Sequence, residues 1–410
     1  MIMKRNIVLT ILLTIAATAG AQIKDFKWKL YGQFRTDVIY NSRDNVEAVD
    51  GMIYKYPKRE VLDPDGKDLN DHFMGSAYAL YTRLGLRLSG PEFFGARSSA
   101  KMEFDFRGNG KDYSLFRLRH AFFNLDWQHS HLLVGQTWNP FQGDVLPQML
   151  NLGSGQPFQP FGRAPQIRYR YTAGKMQLTA ATIWQFQYTT AGPDGKSNQY
   201  FKHSGIPELY AGIDYKSPSL LLGAGVEMLS IMPRMNTKGI DNKMYRTSER
   251  LNTLSYEAHM LYKKDLWRIS SRTVYGRNMT HMSMIGGFGA KSIDKRTGRE
   301  EYTPIKNISQ WLNIVYGKTW RPSLFMGYSK NLGTDDALID TKHLYGSGTD
   351  VDKLATAILS LTYNAPHWKI GCEYSYTSAW YGDINTNNGK VENSSSVGNH
   401  RLIASASFLF

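Results

Sequence analysis

The sequence predicts an all-β fold: a transmembrane antiparallel β-barrel of about sixteen strands, with its third long loop folded into the lumen. Three observations predict the barrel. Alternation of polar and apolar residues with period two recurs along the whole 410-residue chain. The connections between these segments are short and long by turns. Finally, 20% of residues are charged, yet 13% are aromatic and 25 are tyrosine. A strand with one face to lipid and one to water averages to a soluble-looking composition, which reconciles those figures.

The N-terminus is set aside first. Lys4 and Arg5 precede an apolar run at 7–17, and small residues follow at Ala19 and Ala21. That pattern is a secretory signal peptide, residues 1–21, cleaved before Gln22. The run is too short to cross about 30 Å of hydrocarbon. Cleavage removes two of the positive charges behind the formal net charge of +14. Residues 22–410 are then one barrel domain, exported to the outer membrane of a Gram-negative bacterium, because a barrel must close on itself. No later stretch holds 18 consecutive apolar residues. A single cysteine, Cys372, excludes an internal disulfide.

The first strand, 28–40, places Leu30, Phe34, Val38 and Tyr40 on one face and Gln33, Arg35 and Asp37 on the other. The next lie near 76–89, 98–107, 115–126, 131–138, 166–172, 176–188 and 207–216. The remainder lie near 219–231, 251–263, 267–277, 308–316, 320–330, 353–363, 368–380 and 399–410. The count is sixteen, and an even number returns both chain ends to one side of the membrane. The last strand ends on Phe410, a terminal aromatic like that of outer-membrane barrels. Short turns fall at 172–175, 216–219, 263–265, 317–319 and 364–367. Trp127, Tyr171, Tyr215, Tyr262, Trp267, Tyr316, Trp320, Tyr363 and Trp368 flank the short turns, as an interfacial aromatic girdle would.

Alternation also assigns the lumen. Arg83 and Arg87 share a face of the second strand, and Lys101, Glu103, Asp105 and Arg107 a face of the third. Arg117 with Arg119, Arg168 with Arg170, and Arg268 with Arg272 do the same in strands four, six and eleven. Asp37, Asp214, Glu227, Glu257 and Glu373 supply acids. A charge facing lipid costs about 2–4 kcal/mol at midplane, so this face is the lumen. In the fourth strand two phases compete: His120 and Asn124 oppose Arg117 and Arg119.

The third long loop differs from the first. Residues 44–75 carry twelve charges, the composition of a solvated loop, whereas 139–163 carry only Asp144 and Arg163. Gln142, Gln148, Gln156 and Gln159 are interleaved there with Phe141, Met149, Phe158 and Phe161. Five prolines, Pro140, Pro147, Pro157, Pro160 and Pro165, restrict the backbone. Few charges and many amides suit a segment folded into a barrel.

The segments RLGLRLSGPEFFGARSSAKMEFDF, FRLRHAFF, LLVGQTWNPF and PFQPFGRAPQIRY resemble trimeric outer-membrane porins of the DcaP-like type and their Bacteroidetes relatives. The likeness covers strands two to six well and the rest by architecture. It implies a homotrimer passing small hydrophilic solutes, with a preference for anions such as dicarboxylates. The coiled coil of some relatives has no room between Gln22 and the first strand.

The expected function is passive diffusion through an arginine-lined constriction. Its candidate residues are Arg163, Asp144, Arg83, Arg87, Glu103, Asp105, Arg117, Arg119, Arg168 and Arg170. Arginine offers a planar fork that matches carboxylates, and rings of arginine favour anions. Glu103 and Asp105 also allow a transverse field, or a salt-bridge network that only stiffens the wall. No enzyme activity, cofactor, metal or nucleic acid is expected; the partners are outer-membrane lipid and the solutes. A barrel hydrolase would need a Ser/His or Asp/His constellation, and the ten histidines are scattered. A non-conducting adhesin would put its information in the loops at 278–307 and 331–352. The stretch DPDGKDLND (63–71) departs from a calcium loop at Lys67, and His129 with His131 lacks further ligands beyond Asp126.

Overall fold

The structure, a computed structural model, describes residues 26–48, 52–107 and 114–410. The predicted signal peptide and most of the connection at 108–114 lie outside the described residues.

Sixteen strands among the described residues form the barrel. They are β1 (Lys27–Asn41), β2 (Arg83–Phe93), β3 (Ala96–Asp105), β4 (Arg117–Asp126), β5 (Ser130–Trp138) and β6 (Arg163–Ala173). Then come β7 (Met176–Ile183), β8 (Glu208–Lys216), β9 (Leu220–Ile231), β10 (Leu251–Lys264) and β11 (Trp267–Arg277). The last five are β12 (Glu300–Tyr316), β13 (Trp320–Gly333), β14 (Val351–Ala365), β15 (Trp368–Ile384) and β16 (Val391–Leu409). Every neighbouring pair is antiparallel, and β1 closes the ring by pairing with β16 from Gln33↔Leu409 to Asn41↔Arg401. Past the last strand residue, Gly32 and Phe410 exchange both backbone hydrogen bonds, at 3.0 and 3.2 Å. The chain end is thus sewn into the seam, leaving no open edge there.

Burial follows the period of two. In β1, Arg35, Asp37, Ile39 and Asn41 are buried while Phe34, Val38 and Tyr40 are exposed. In β6, Arg168 is buried while Ile167, Tyr169 and Tyr171 are exposed. An exposed apolar face and a buried polar face can coexist only if the apolar face meets lipid. At the short-turn end, cross-strand aromatic pairs form where the girdle was expected. Trp267 meets Tyr316 at 4.8 Å, Trp320 meets Tyr363 at 5.0 Å and Trp368 meets Phe408 at 5.1 Å. Gly317 allows one of these turns: its φ is +94°, and a Cβ would stand 2.1 Å from the Trp320 carbonyl oxygen.

The structure departs from the sequence expectations in five elements. The second strand is not continuous over 76–89: Met74–Tyr78 pairs with the upper part of β1, and the chain resumes pairing only at Arg83. The interruption turns Tyr81 toward the arginines, where its ring lies beneath Arg35, Arg83 and Arg107 at 5.0, 4.5 and 5.5 Å. The strand predicted over 176–188 stops at Ile183, whereas β12 and β16 start about eight residues early and extend above the ring. The first long loop is solvated only in part. Its charged portion is exposed, but Met52, Ile53, Tyr54 and Tyr56 are buried, and Met52 and Ile53 pack with Leu152.

Candidate functional site

The two phases of the fourth strand are reconciled by a β-bulge. Asp105 pairs with Arg117 and Glu103 with His120, so Arg119 is the extra residue. Before the bulge Arg117 and Arg119 point inward; after it His120 takes over that face, and both Arg119 and His120 are buried. Carbonyls loosened by the bulge are recovered by Gln136, whose Nε2 donates to Leu118 O at 3.2 Å and Arg119 O at 3.3 Å. On the neighbouring strand Gly135 has φ +127°, and a Cβ there would stand 2.3 Å from the Ala121 carbonyl oxygen. The bulge therefore aims two arginines at the carboxylates of β3.

Around them a ladder of alternating charge forms. Glu103 accepts from Arg119 Nε at 2.8 Å and Tyr31 OH at 2.8 Å, with Lys101 Nζ at 3.2 Å and Arg83 Nε at 3.4 Å. Asp105 accepts from Arg117 Nε at 3.0 Å and Nη2 at 2.9 Å, and from Arg119 Nη1 at 3.1 Å. Arg119 and Asp105 are sealed, at 4% and 0% side-chain exposure, whereas Arg83 and Arg117 keep 18% and 13%. Arg87 is exposed and stacks on the Tyr31 ring at 4.8 Å. On β6, Arg170 reaches Asp144 at 3.0 Å. Surrounding protein disfavours a charged Asp144, but Arg170 and then Arg168 outweigh it and hold the carboxyl down at about 2.

Arg163 does not face open water. It is fully buried, with its guanidinium over Trp138 at 4.7 Å and Tyr188 at 5.4 Å and one donation to Tyr188 OH at 3.2 Å. Its Nε and Nη1 have no hydrogen-bond partner among the described residues.

Residues 139–163 hydrogen-bond to inward positions of the opposite strands. Arg272 donates to Phe141 O at 2.7 Å and Val145 O at 3.4 Å, and Arg268 to Leu146 O at 2.9 Å. Asn313 accepts from Gln148 N at 2.8 Å, and Arg321 donates to the Gln148 side chain. Glu373 accepts from Leu150 N at 2.6 Å and Asn151 N at 2.9 Å, while Arg35 donates to Leu150 O at 2.6 Å. On the return, Ser309 donates to Phe158 O at 3.0 Å and Trp311 Nε1 to Gln159 Oε1 at 2.5 Å. Phe158 and Val145 join the buried cluster of Trp311, Phe325, Val351, Leu354 and Ile358. The glutamines also close the segment on itself: Gln142 accepts from Gly162 N at 3.1 Å and from Gln159 Nε2 at 3.2 Å. A cavity of about 270 Å³ remains beside it, lined by Gln148, Arg321, Thr362 and Lys369.

The expected residues thus fall into three groups. Arg83, Glu103, Asp105, Arg117 and Arg119 form one network with Arg87 beside it; Arg168, Arg170 and Asp144 form a second; Arg163 stands apart in an aromatic cage. Sequence reasoning missed Tyr31, Tyr81, Tyr188, Arg321 and Lys369. Tyr81 and Tyr188 lie where alternation breaks, so period two held no signal for them. Arg321 and Lys369 are in phase with their strands and were legible.

The other motifs make local contacts. Asp63 accepts from the amides of Asp65 and Lys67, and Asp68 from those of Val61 and Asn70 and from Arg43, so these acids build turns. His131 pairs with Asp126 at the β4–β5 turn.

No protein-family model and no curated protein matches the chain. Solved structures do. OmpT of Vibrio cholerae, an outer membrane protein, superposes with a TM-score of 0.56 at 12% identity, covering 94% of this chain and 98% of that one. A trimer form of the same protein gives 0.56 at 11% identity, covering 94% and 100%. OmpF of Salmonella typhi, in complex with daunomycin, gives 0.52 at 12% identity, covering 94% and 98%. At such identities the likeness shows the fold: a closed sixteen-stranded antiparallel barrel of the kind these outer-membrane proteins share.

Proposed function

We propose that this chain is an outer-membrane porin that passes small hydrophilic solutes by diffusion, favouring anions such as dicarboxylates. The observation that carries the reading is the charge of the inward face of β2–β6. Seven cations, Arg83, Arg87, Lys101, Arg117, Arg119, Arg168 and Arg170, stand there against Glu103, Asp105 and Asp144. The carboxylates saturate the sealed arginines; Arg87, Arg83 and Arg170 retain water-facing donors suited to a carboxylate. Residues 139–163 act as the constriction, held to the opposite wall, with four prolines and seven backbone carbonyls or amides already spoken for. Arg163 acts through its field and by fixing Trp138 and Tyr188, since burial keeps its guanidinium from direct contact.

A homotrimer belongs to this reading. An apolar groove of about 370 Å³ crosses the outer face of β2–β5 at Leu86, Ala100, Met102, Ala121 and Val134, where small side chains let a second barrel approach. Refolded protein in planar bilayers tests the function. Stepwise conductance with a reversal potential of anionic sign in a salt gradient is expected, with faster liposome swelling in dicarboxylates than in equally sized sugars. A non-conducting barrel, or cation preference, overturns the proposal.

A further inference from the structure

Outside the charge ladder, Glu208 at the start of β8, Glu227 in β9 and His281 in the 3₁₀ turn Met279–Met282 converge. One donor atom from each lies within 4.8 Å of the other two, and all three residues are buried, at 1%, 1% and 3% exposure. We propose that this trio is a structural site for a divalent transition-metal cation, with Zn²⁺ the best match to one imidazole and two carboxylates.

Geometry supports it first. Ligands around tetrahedral zinc at about 2.0–2.2 Å stand roughly 3.3 Å apart. His281 Nε2 lies 2.6 Å from Glu227 Oε1 and 3.8 Å from Glu208 Oε2, so these two spacings bracket that value, and the two carboxylates offer donors within 4.8 Å of each other. Charge supports it second. Two buried carboxylates this close repel unless a proton or a cation sits between them, and a divalent ion neutralises both. An independent sign is Glu227 Oε2, which is sealed from water and has no hydrogen-bond partner among the described residues.

The site also has an outer shell. Asn139 Nδ2 donates to Glu208 Oε1 at 2.6 Å, and Asn139 Oδ1 is itself held by Phe141 N at 2.8 Å. Three protein ligands leave a fourth position for water. The cation would tie together two strands, the turn of the loop above β11 and, through Asn139, the first residue of segment 139–163. Phe161 N donates to Met282 O at 2.9 Å, so the same turn grips that segment's other end. The inference stands whether or not the barrel conducts.

The test uses the refolded full-length barrel, stripped with EDTA, re-exposed to Zn²⁺, desalted and assayed by inductively coupled plasma mass spectrometry. One zinc per chain is expected. Glu227→Gln and His281→Gln should each lose that equivalent while keeping the heat-modifiable gel mobility of a closed barrel. Asn139→Ala should bind about 10–100-fold more weakly. A His129→Ala/His131→Ala variant should retain the metal, which separates this site from the β4–β5 turn. Absence of retained zinc in the unaltered protein, or equal retention in Glu227→Gln and His281→Gln, overturns the proposal. If either of those two fails to close, the other and Asn139→Ala decide, because His281 and Asn139 lie outside the barrel strands.

Discussion

On the β2–β4 side of the barrel, arginines bind carboxylates of their own wall; on β11 and β1, arginines reach across to backbone carbonyls of residues 141–150. In the first arrangement side chain answers side chain, and the surplus cations stay partly open to water. In the second the guanidinium is consumed: Arg272 serves Glu257 at 2.8 Å and two carbonyls at once and is 1% exposed. One residue type therefore stands as partly water-facing charge on one wall and as anchor on the other. What separates the roles is whether the guanidinium also meets backbone carbonyls of residues 141–150 or only carboxylates of its own wall.

The sharpest way to break that contrast is Arg272→Ala. It leaves the buried Glu257 with only His259 and Tyr210 as partners and frees two carbonyls, so a loss of about 3–5 kcal/mol is expected in denaturant titration of the detergent-solubilised barrel. Larger and noisier conductance should accompany it as segment 139–163 loosens. An unchanged unfolding midpoint would show that the anchor is idle.

The opposite wall should answer in selectivity and hardly in stability. Arg83→Gln with Arg87→Gln removes two of the water-facing charges. The anion-to-cation permeability ratio should fall about tenfold, or ~1.4 kcal/mol of altered electrostatic work. Reversal potentials that do not move would remove this wall from the pore.

Arg163→Ala tests the residue that fits neither class. Loss of its stacking on Trp138 and Tyr188 should cost about 1–2 kcal/mol and reduce anion selectivity only two- to threefold, roughly. A full loss of selectivity would mean direct contact with solute, contrary to its burial.

The smallest effect concerns acid. Asp144 is held below the usual carboxylate value by Arg170 and Arg168, so its contribution to holding the segment is complete above about pH 4. It should fade as pH falls toward about 2, when the carboxyl protonates. Conductance fluctuations measured between pH 5 and 2 should grow at the low end in the unaltered protein and be pH-independent in Asp144→Asn; a flat profile in both would count against this tether.

Much of the barrel was legible because its rule is local. Arg168 and Arg170 had to share a face with neither Tyr169 nor Tyr171, and lipid fixes which face is which. The charge-poor composition of 139–163 announced a segment unlike the first loop. The rest was not local. The phase change at Arg119 follows from a bulge against β3, and the break before Arg83 brings Tyr81 beneath several cations at once. Neither leaves a mark on periodicity except as ambiguity.

The sequence by itself determined the number of strands and their facing, because side-chain alternation is a property of every extended strand. Only the tertiary structure decided which arginines remain free, why Arg163 is caged, and that Glu208, Glu227 and His281 meet. Those outcomes depend on residues up to some two hundred positions apart, as with Leu150 and Glu373, being brought within hydrogen-bond reach by closure of the ring.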